Sequence, residues 1–248
     1  MFKHLYLGIK FSFSYFSILP LKFKSTDNLS SPAILNVMLL SLPLVGLVLG
    51  YLTVSLFLLL SKLGWYGAIF SAIFYMISYG FLHTEAVIDV FDAMYASHGG
   101  KDAYAIIKEP TVGAVGVLYG VVFVLLKTAG MMMLFTNNLL LEFIAILVIS
   151  RLSLLTLIVL HDFKSSFLTQ LKEALDPWFL ALLFILITII GSLFLKSFLI
   201  WLIIGTILGF SISIFFVSKL KFANGDVLGA TLEGVEILMF LVVAIFMV

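Results

Sequence analysis

Long apolar runs of Leu, Ile, Val and Phe constrain this chain more than any other feature, because several reach about 20 residues, the length that crosses a bilayer. They fall at 34–60, 66–82, 112–135, 140–160, 178–195 and 197–217, and a last one follows Asn224. The hydrophobic fraction is 63% and the charged fraction 11%, against roughly half and a quarter in soluble domains. No soluble interior of this size hides so much apolar surface. The sequence therefore predicts an all-α fold, a polytopic membrane helix bundle of about seven spans in the lipid bilayer, with six to eight compatible with the runs. Residues 1–19 are interrupted by Lys3, His4, Lys10 and several serines and read as an N-terminal interfacial amphipathic helix. No small-residue cleavage site follows its apolar run, which keeps it in the mature chain. Without a Pro/Gly/Ser-rich linker, residues 1–248 read as a single integral membrane domain. A net charge of +1 says nothing about a nucleic-acid partner and no basic cluster suggests one, so none is expected, and the absence of cysteine excludes disulfides and thiolate metal sites.

The apolar pattern stops at YGFLHTEAVIDVFDAMYASHGGKDAYAIIKEPTVGAVG, residues 79–116, where Glu85, Asp89 and Asp92 stand at i, i+4 and i+7. On a helix these share one face. Three stacked acids repel one another unless a cation lies between them. Magnesium suits the pattern, since it takes one or two carboxylates and keeps water or phosphate oxygens in its other positions. The spacing thus proposes a metal-assisted phosphate site, with a solvated acidic helix end as the plainer reading. A second acidic segment, NGDVLGATLEGVE at 224–236, offers an Asn224-Gly225 turn, Asp226 as a helix cap, and Glu233 and Glu236 entering the last span. Lys127 and Arg151 lie inside the third and fourth spans, where charge is costly, and are candidates to pair with acid or phosphate. Pairing of one of them with Glu142, or snorkelling to an interface, is the alternative. Stripes at Gly46 and Gly50, and at Gly113, Gly116 and Gly120, suit close helix packing within one chain or between copies in a homo-oligomer. Tyrosines and phenylalanines read mainly as lipid-facing or core residues.

Lysine placement chooses an orientation. With the N-terminus inside, seven spans put Lys3, Lys10, Lys22, Lys24, Lys101, Lys108, Lys164, Lys172, Lys219 and Lys221 on the cytoplasmic side of the inner membrane and leave Lys62 and Lys196 outside. The same count brings Glu85, Asp89, Asp92 and Asp226 to the cytoplasmic side, with Glu233 and Glu236 near that surface.

Three blocks in order, HTEAVIDVFDAM (83–94), IIKEPTVGAVGV (106–117) and NGDVLGATLEGVE (224–236), together with LPLVGLVLG near the start, resemble the cobalamin synthase family, the adenosylcobinamide-GDP ribazoletransferases. The first is similar to the family pattern HLDGLADTADG, the second to IMKDSRVGAFGV, the third to TGDVLGA followed by an acidic helix. The resemblance implies transfer of a phosphate-linked cobinamide group from adenosylcobinamide-GDP to alpha-ribazole or its 5'-phosphate, with GMP leaving. It also implies roles. Magnesium falls to Glu85, Asp89, Asp92 and Asp226, and the general base to Asp92, then His83, then Asp226. Phosphate and substrate contacts fall to Lys101, Lys108, Glu233 and Glu236, with Lys108 also near the chemistry. Glu85 replaces the family's usual Asp, Ala86 and Ala93 replace glycines, and Pro110-Thr111 replaces Ser-Arg, so a lysine must supply the charge of the missing Arg without its bidentate geometry. Two rival classes depart from this pattern. CDP-alcohol phosphotransferases need an Ala-Arg pair that is absent here, and a transporter would place its acids near the midplane rather than at one surface.

Overall fold

A computed structural model describes residues 2–248, and the regular structure of the described chain is all helix, joined by turns and loops, with one isolated bridge between Phe163 and Ala223. Helix α1 (Phe2–Phe16) is followed by α2 (Pro32–Leu40), α3 (Leu42–Leu59), α4 (Trp65–Ser78), α5 (Leu82–His98) and the short α6 (Ala103–Ile107). The rest comprises α7 (Ala114–Thr136), α8 (Leu140–Leu160), α9 (Ser166–Ala174), α10 (Pro177–Phe194), α11 (Phe198–Leu220) and α12 (Gly225–Met247). Among the described residues six units are long and apolar enough to cross a membrane: α2 with α3, α7, α8, α10, α11 and α12. The pair α4 and α5 makes a seventh if counted as one broken crossing.

Local chemistry explains the boundaries. Pro32 opens α2, and Pro43, which has no N–H to give the carbonyl four residues back, sets the break at Ser41 between α2 and α3. Asp176 caps α10 by accepting from the Trp178 N–H at 2.9 Å. The cap of α12 is Asn224 rather than Asp226: Asn224 accepts from the Val227 N–H at 3.0 Å, and its amide donates to Asp226 Oδ2 at 2.7 Å. Asp226 therefore sits in the first turn with its carboxylate already oriented.

The second apolar run was expected to pass straight into the acidic stretch, but the chain breaks there. Gly80 and Phe81 both take positive φ, +66° and 54°, and α5 leaves α4 at 79°. Gly80 adopts this region freely, whereas Phe81 enters it with an exposed side chain and its backbone N–H donating to the Met76 carbonyl at 3.1 Å. The bend brings α5 back between α7 and α12. The core centres on α8, which is buried on nearly every face through Phe143, Leu147, Ile149, Leu152 and Leu155. At Gly46 of α3 a side chain would meet the Leu147 carbonyl at 2.7 Å, so the glycine lets the two helices approach. Helix α10 is the opposite case, with only Leu180 buried.

Candidate active site

The three sequence blocks meet at one end of the bundle. From the first, Asp92 Oδ2 accepts the backbone N–H of Gly113, in the second, at 3.0 Å. A Cβ at Gly113 would lie 2.0 Å from Asp92 Oδ1, so glycine is required for this contact. From the third block, Gly229 lies against the first: a side chain there would meet Ala86 Cβ at 2.7 Å and His83 Nδ1 at 3.5 Å. The methyl that replaces a family glycine at Ala86 is thus seated on the bare backbone of α12.

The acids stand on this junction. Glu85 is exposed, while Asp89, Asp92 and Asp226 are half-buried. Asp89 is within electrostatic reach of Asp226, Glu85 and Asp92. Among the described residues no three carboxylates or imidazoles converge closely enough to form a ready-made metal cage. The donor set is nonetheless all oxygen and mutually repulsive, which fits a hard ion held by one or two carboxylates, with phosphate oxygens and water completing its shell. His83 is buried with its ring between those of Phe16 and Tyr79, at centroid distances of 6.2 and 5.6 Å. Lys101 is exposed after the Gly99-Gly100 turn, and Lys108, also exposed, holds its Nζ 4.2 Å from the Tyr104 ring centre.

Glu233 and Glu236 take a different place from the substrate contact expected of them. Both are fully buried further along α12, inside a network with Lys127 and Arg151. Lys127 Nζ donates to Glu233 Oε2 at 2.6 Å and lies 2.8 Å from Glu236 Oε2. Arg151 Nη1 pairs with Glu236 Oε1, and Arg151 Nη2 donates to the Tyr75 hydroxyl at 2.9 Å. Tyr79 donates to Glu233 Oε1 at 2.7 Å, and Tyr75 and Ser150 each donate to Glu236 at 3.1 Å. Two cations and two anions cancel, and hydroxyls satisfy the remaining lone pairs. These carboxylates are engaged inside the bundle, as are Lys127 and Arg151, and among the described residues Glu142 takes no part.

Sequence reasoning missed the hydroxyl partners Tyr75, Tyr79, Thr84 and Ser150. The available signal was the i, i+4 pair of Tyr75 in the last turn of α4 and Tyr79 at its C-terminal cap. It also missed that α1 reaches the site, where Phe16 covers His83.

The model of a family described as cobalamin-5-phosphate synthase matches residues 8–244. Proteins named adenosylcobinamide-GDP ribazoletransferase in Clostridium perfringens and in its strain SM101 are 31% and 30% identical to this chain over 140 residues, 55% of this chain and 54% of theirs. A protein of the same name from Clostridium tetani is 27% identical over 214 residues, 81% of this chain and 82% of its own. The match thus spans about half the length of the Clostridium perfringens relatives and most of the Clostridium tetani one. No solved structure matches the chain.

Proposed function

The chain belongs to the cobalamin-5-phosphate synthase family, and from that premise we propose that it joins adenosylcobinamide-GDP to alpha-ribazole, or to its 5'-phosphate, in the cytoplasmic membrane. The observation that carries this reading is the meeting of three motifs far apart in sequence: Asp92 on the Gly113 N–H, and Gly229 on His83 and Ala86. The acceptor's ribose hydroxyl attacks the phosphorus next to the cobinamide arm. A new P–O bond forms, the P–O bond to GMP breaks, and the hydroxyl proton passes to a base of the protein.

Such transfers depend on positioning and on neutralising phosphate charge. Glu85, Asp89, Asp92 and Asp226 would hold magnesium, which when bound supplies that neutralisation at the diphosphate. Asp92 is the first choice of base: the Gly113 N–H fixes one of its oxygens at 3.0 Å while the carboxylate keeps further lone pairs. His83, beneath Phe16, ranks second, and Asp226 third. Lys108 and Lys101 approach phosphate oxygens as point charges in place of the family's Arg. Glu233 and Glu236 act at one remove, by tying α12 to α4, α7 and α8 beneath the acids.

The test is conversion of adenosylcobinamide-GDP and alpha-ribazole to a cobalamin by the purified full chain, with magnesium and with EDTA, beside Asp89→Asn. Product that requires magnesium and is lost in the variant is expected. Folded wild-type protein that makes no product with magnesium would overturn the reading.

A further inference from the structure

Beside the acids the bundle leaves a cavity of about 140 Å³ whose apolar walls the scheme above does not use. Its polar end is formed by Asp226 and His83, and its walls are leucines of α2, α3, α5, α8, α9 and α12 together with three rings, Tyr15 and Phe16 of α1 and Phe167 of α9. The rings are arranged in series. Phe167 lies 6.0 Å from Tyr15 with planes at 36°, Tyr15 lies 4.8 Å from Phe16, and Phe16 stacks on His83 at 28°. Helix α1 is firmly seated, since Gly8 packs so closely on α2 that a side chain there would meet Val37 Cβ at 2.5 Å. The aromatic wall is therefore a fixed part of the cavity.

An apolar slot with ring walls and polar groups at one end suits a flat heteroaromatic group whose attached sugar points at the polar end. The two substrates of the proposed reaction offer three bulky groups. A corrin ring is far larger than this space. Guanine carries donors and acceptors around its edge, and walls of Leu and Phe would leave them unpaired. The benzimidazole base of alpha-ribazole has an apolar edge and makes no such demand. Resting on the proposed reaction, we infer that this cavity takes the base of the acceptor nucleoside, between the Tyr15 and Phe167 rings and the leucine wall, with the ribose turned toward Asp226. Helix α1 is then part of the acceptor site as well as a membrane-surface element.

The test is equilibrium dialysis of alpha-ribazole, and in parallel of adenosylcobinamide-GDP, against the full chain in detergent. Wild type is compared with Phe167→Ala and Leu168→Trp, and the unfolding midpoint of each is recorded. Phe167 is half-buried at the edge of the core, so its truncation is expected to cost less stability than a fully buried deletion, which the unfolding midpoint checks, whereas Leu168→Trp is expected to fill the cavity. Phe167→Ala is expected to weaken alpha-ribazole by about tenfold, in the range of one lost stacking contact, and Leu168→Trp to abolish its binding, with donor affinity held in both. Unchanged alpha-ribazole affinity in the folded Phe167→Ala protein, or equal loss of donor and acceptor, overturns the assignment while the proposed reaction stands. Wild type that binds neither substrate overturns the reaction and this inference with it.

Discussion

At the scale of residues, the four buried charges and the four acids at the junction have opposite energetic roles. Lys127, Arg151, Glu233 and Glu236 are neutralised in place, and removing one member strands its partner in an apolar interior. Lys127→Met is expected to destabilise the protein by about 3–5 kcal/mol, and the double variant Lys127→Met with Glu233→Gln to recover much of that loss, both read from unfolding of the purified protein. Glu85→Gln should do the reverse. It is exposed, so stability holds, while turnover falls. Gly113 supports the site through its N–H contact with Asp92. Because a methyl there would sit 2.0 Å from Asp92 Oδ1, Gly113→Ala must displace that carboxylate. A loss of about 100-fold in turnover is expected, the scale of an ångström's misplacement, and near-wild-type turnover would show that Asp92 does not depend on this contact. The acid spacing was legible in the sequence because i, i+4 and i+7 on a helix determine a shared face. The pairing of Lys127 with Glu233 was not, since the two are 106 residues apart and only the packing of α7 on α12 brings them together.

At the scale of elements, the decisive feature is how α5 is wedged between α7 and α12. The small-residue stripe on α7 was readable as a packing face, but its partner was not named by anything in the sequence. The structure shows that partner to be α5: a Cβ at Gly120 would meet Ile88 Cγ1 at 2.6 Å and Cδ1 at 2.9 Å. Gly120→Ala should therefore overpack this contact, at a loss of about 1–3 kcal/mol, and tilt the acidic face away from Asp226. Ile88→Ala removes both clashing atoms, so the double variant should regain stability and part of the turnover. A double variant no better than the single one would mean that Ile88 is not what limits the approach. The 79° break between α4 and α5 was equally hidden. Apolar periodicity runs smoothly through residues 66–82, and only the positive φ of Gly80 and Phe81 reveals the turn. Glycine next to an aromatic residue is too common a pair to signal such a bend.

At the scale of the whole molecule, the lysine pattern and the packing agree on which segments share an end of the bundle. Tyr104 donates to the Lys164 carbonyl at 2.6 Å, the Lys164 N–H donates to the Ala223 carbonyl at 2.9 Å, and Lys3 lies 3.5 Å from Asp27. Thus α1, the 17–31 segment, α6, α9 and the start of α12 gather together, although the lysine count used no distances. The turns at 60–64, 137–139 and 195–197 form the other end. From the positive-inside bias we propose that the first group, with its acids and its cavity, faces the cytoplasm, where nucleotide substrates are available. The chain contains no cysteine, so this orientation can be read directly. Single cysteines placed at Lys101 or Glu173 should resist a membrane-impermeant maleimide on intact cells and react once the membrane is opened. Cysteines at Lys62 or Lys196 should react in both conditions. Labelling of position 101 in intact cells would put the acids on the outer side, where the proposed GDP-linked donor is not supplied, and the proposed reaction would lose its access to substrate.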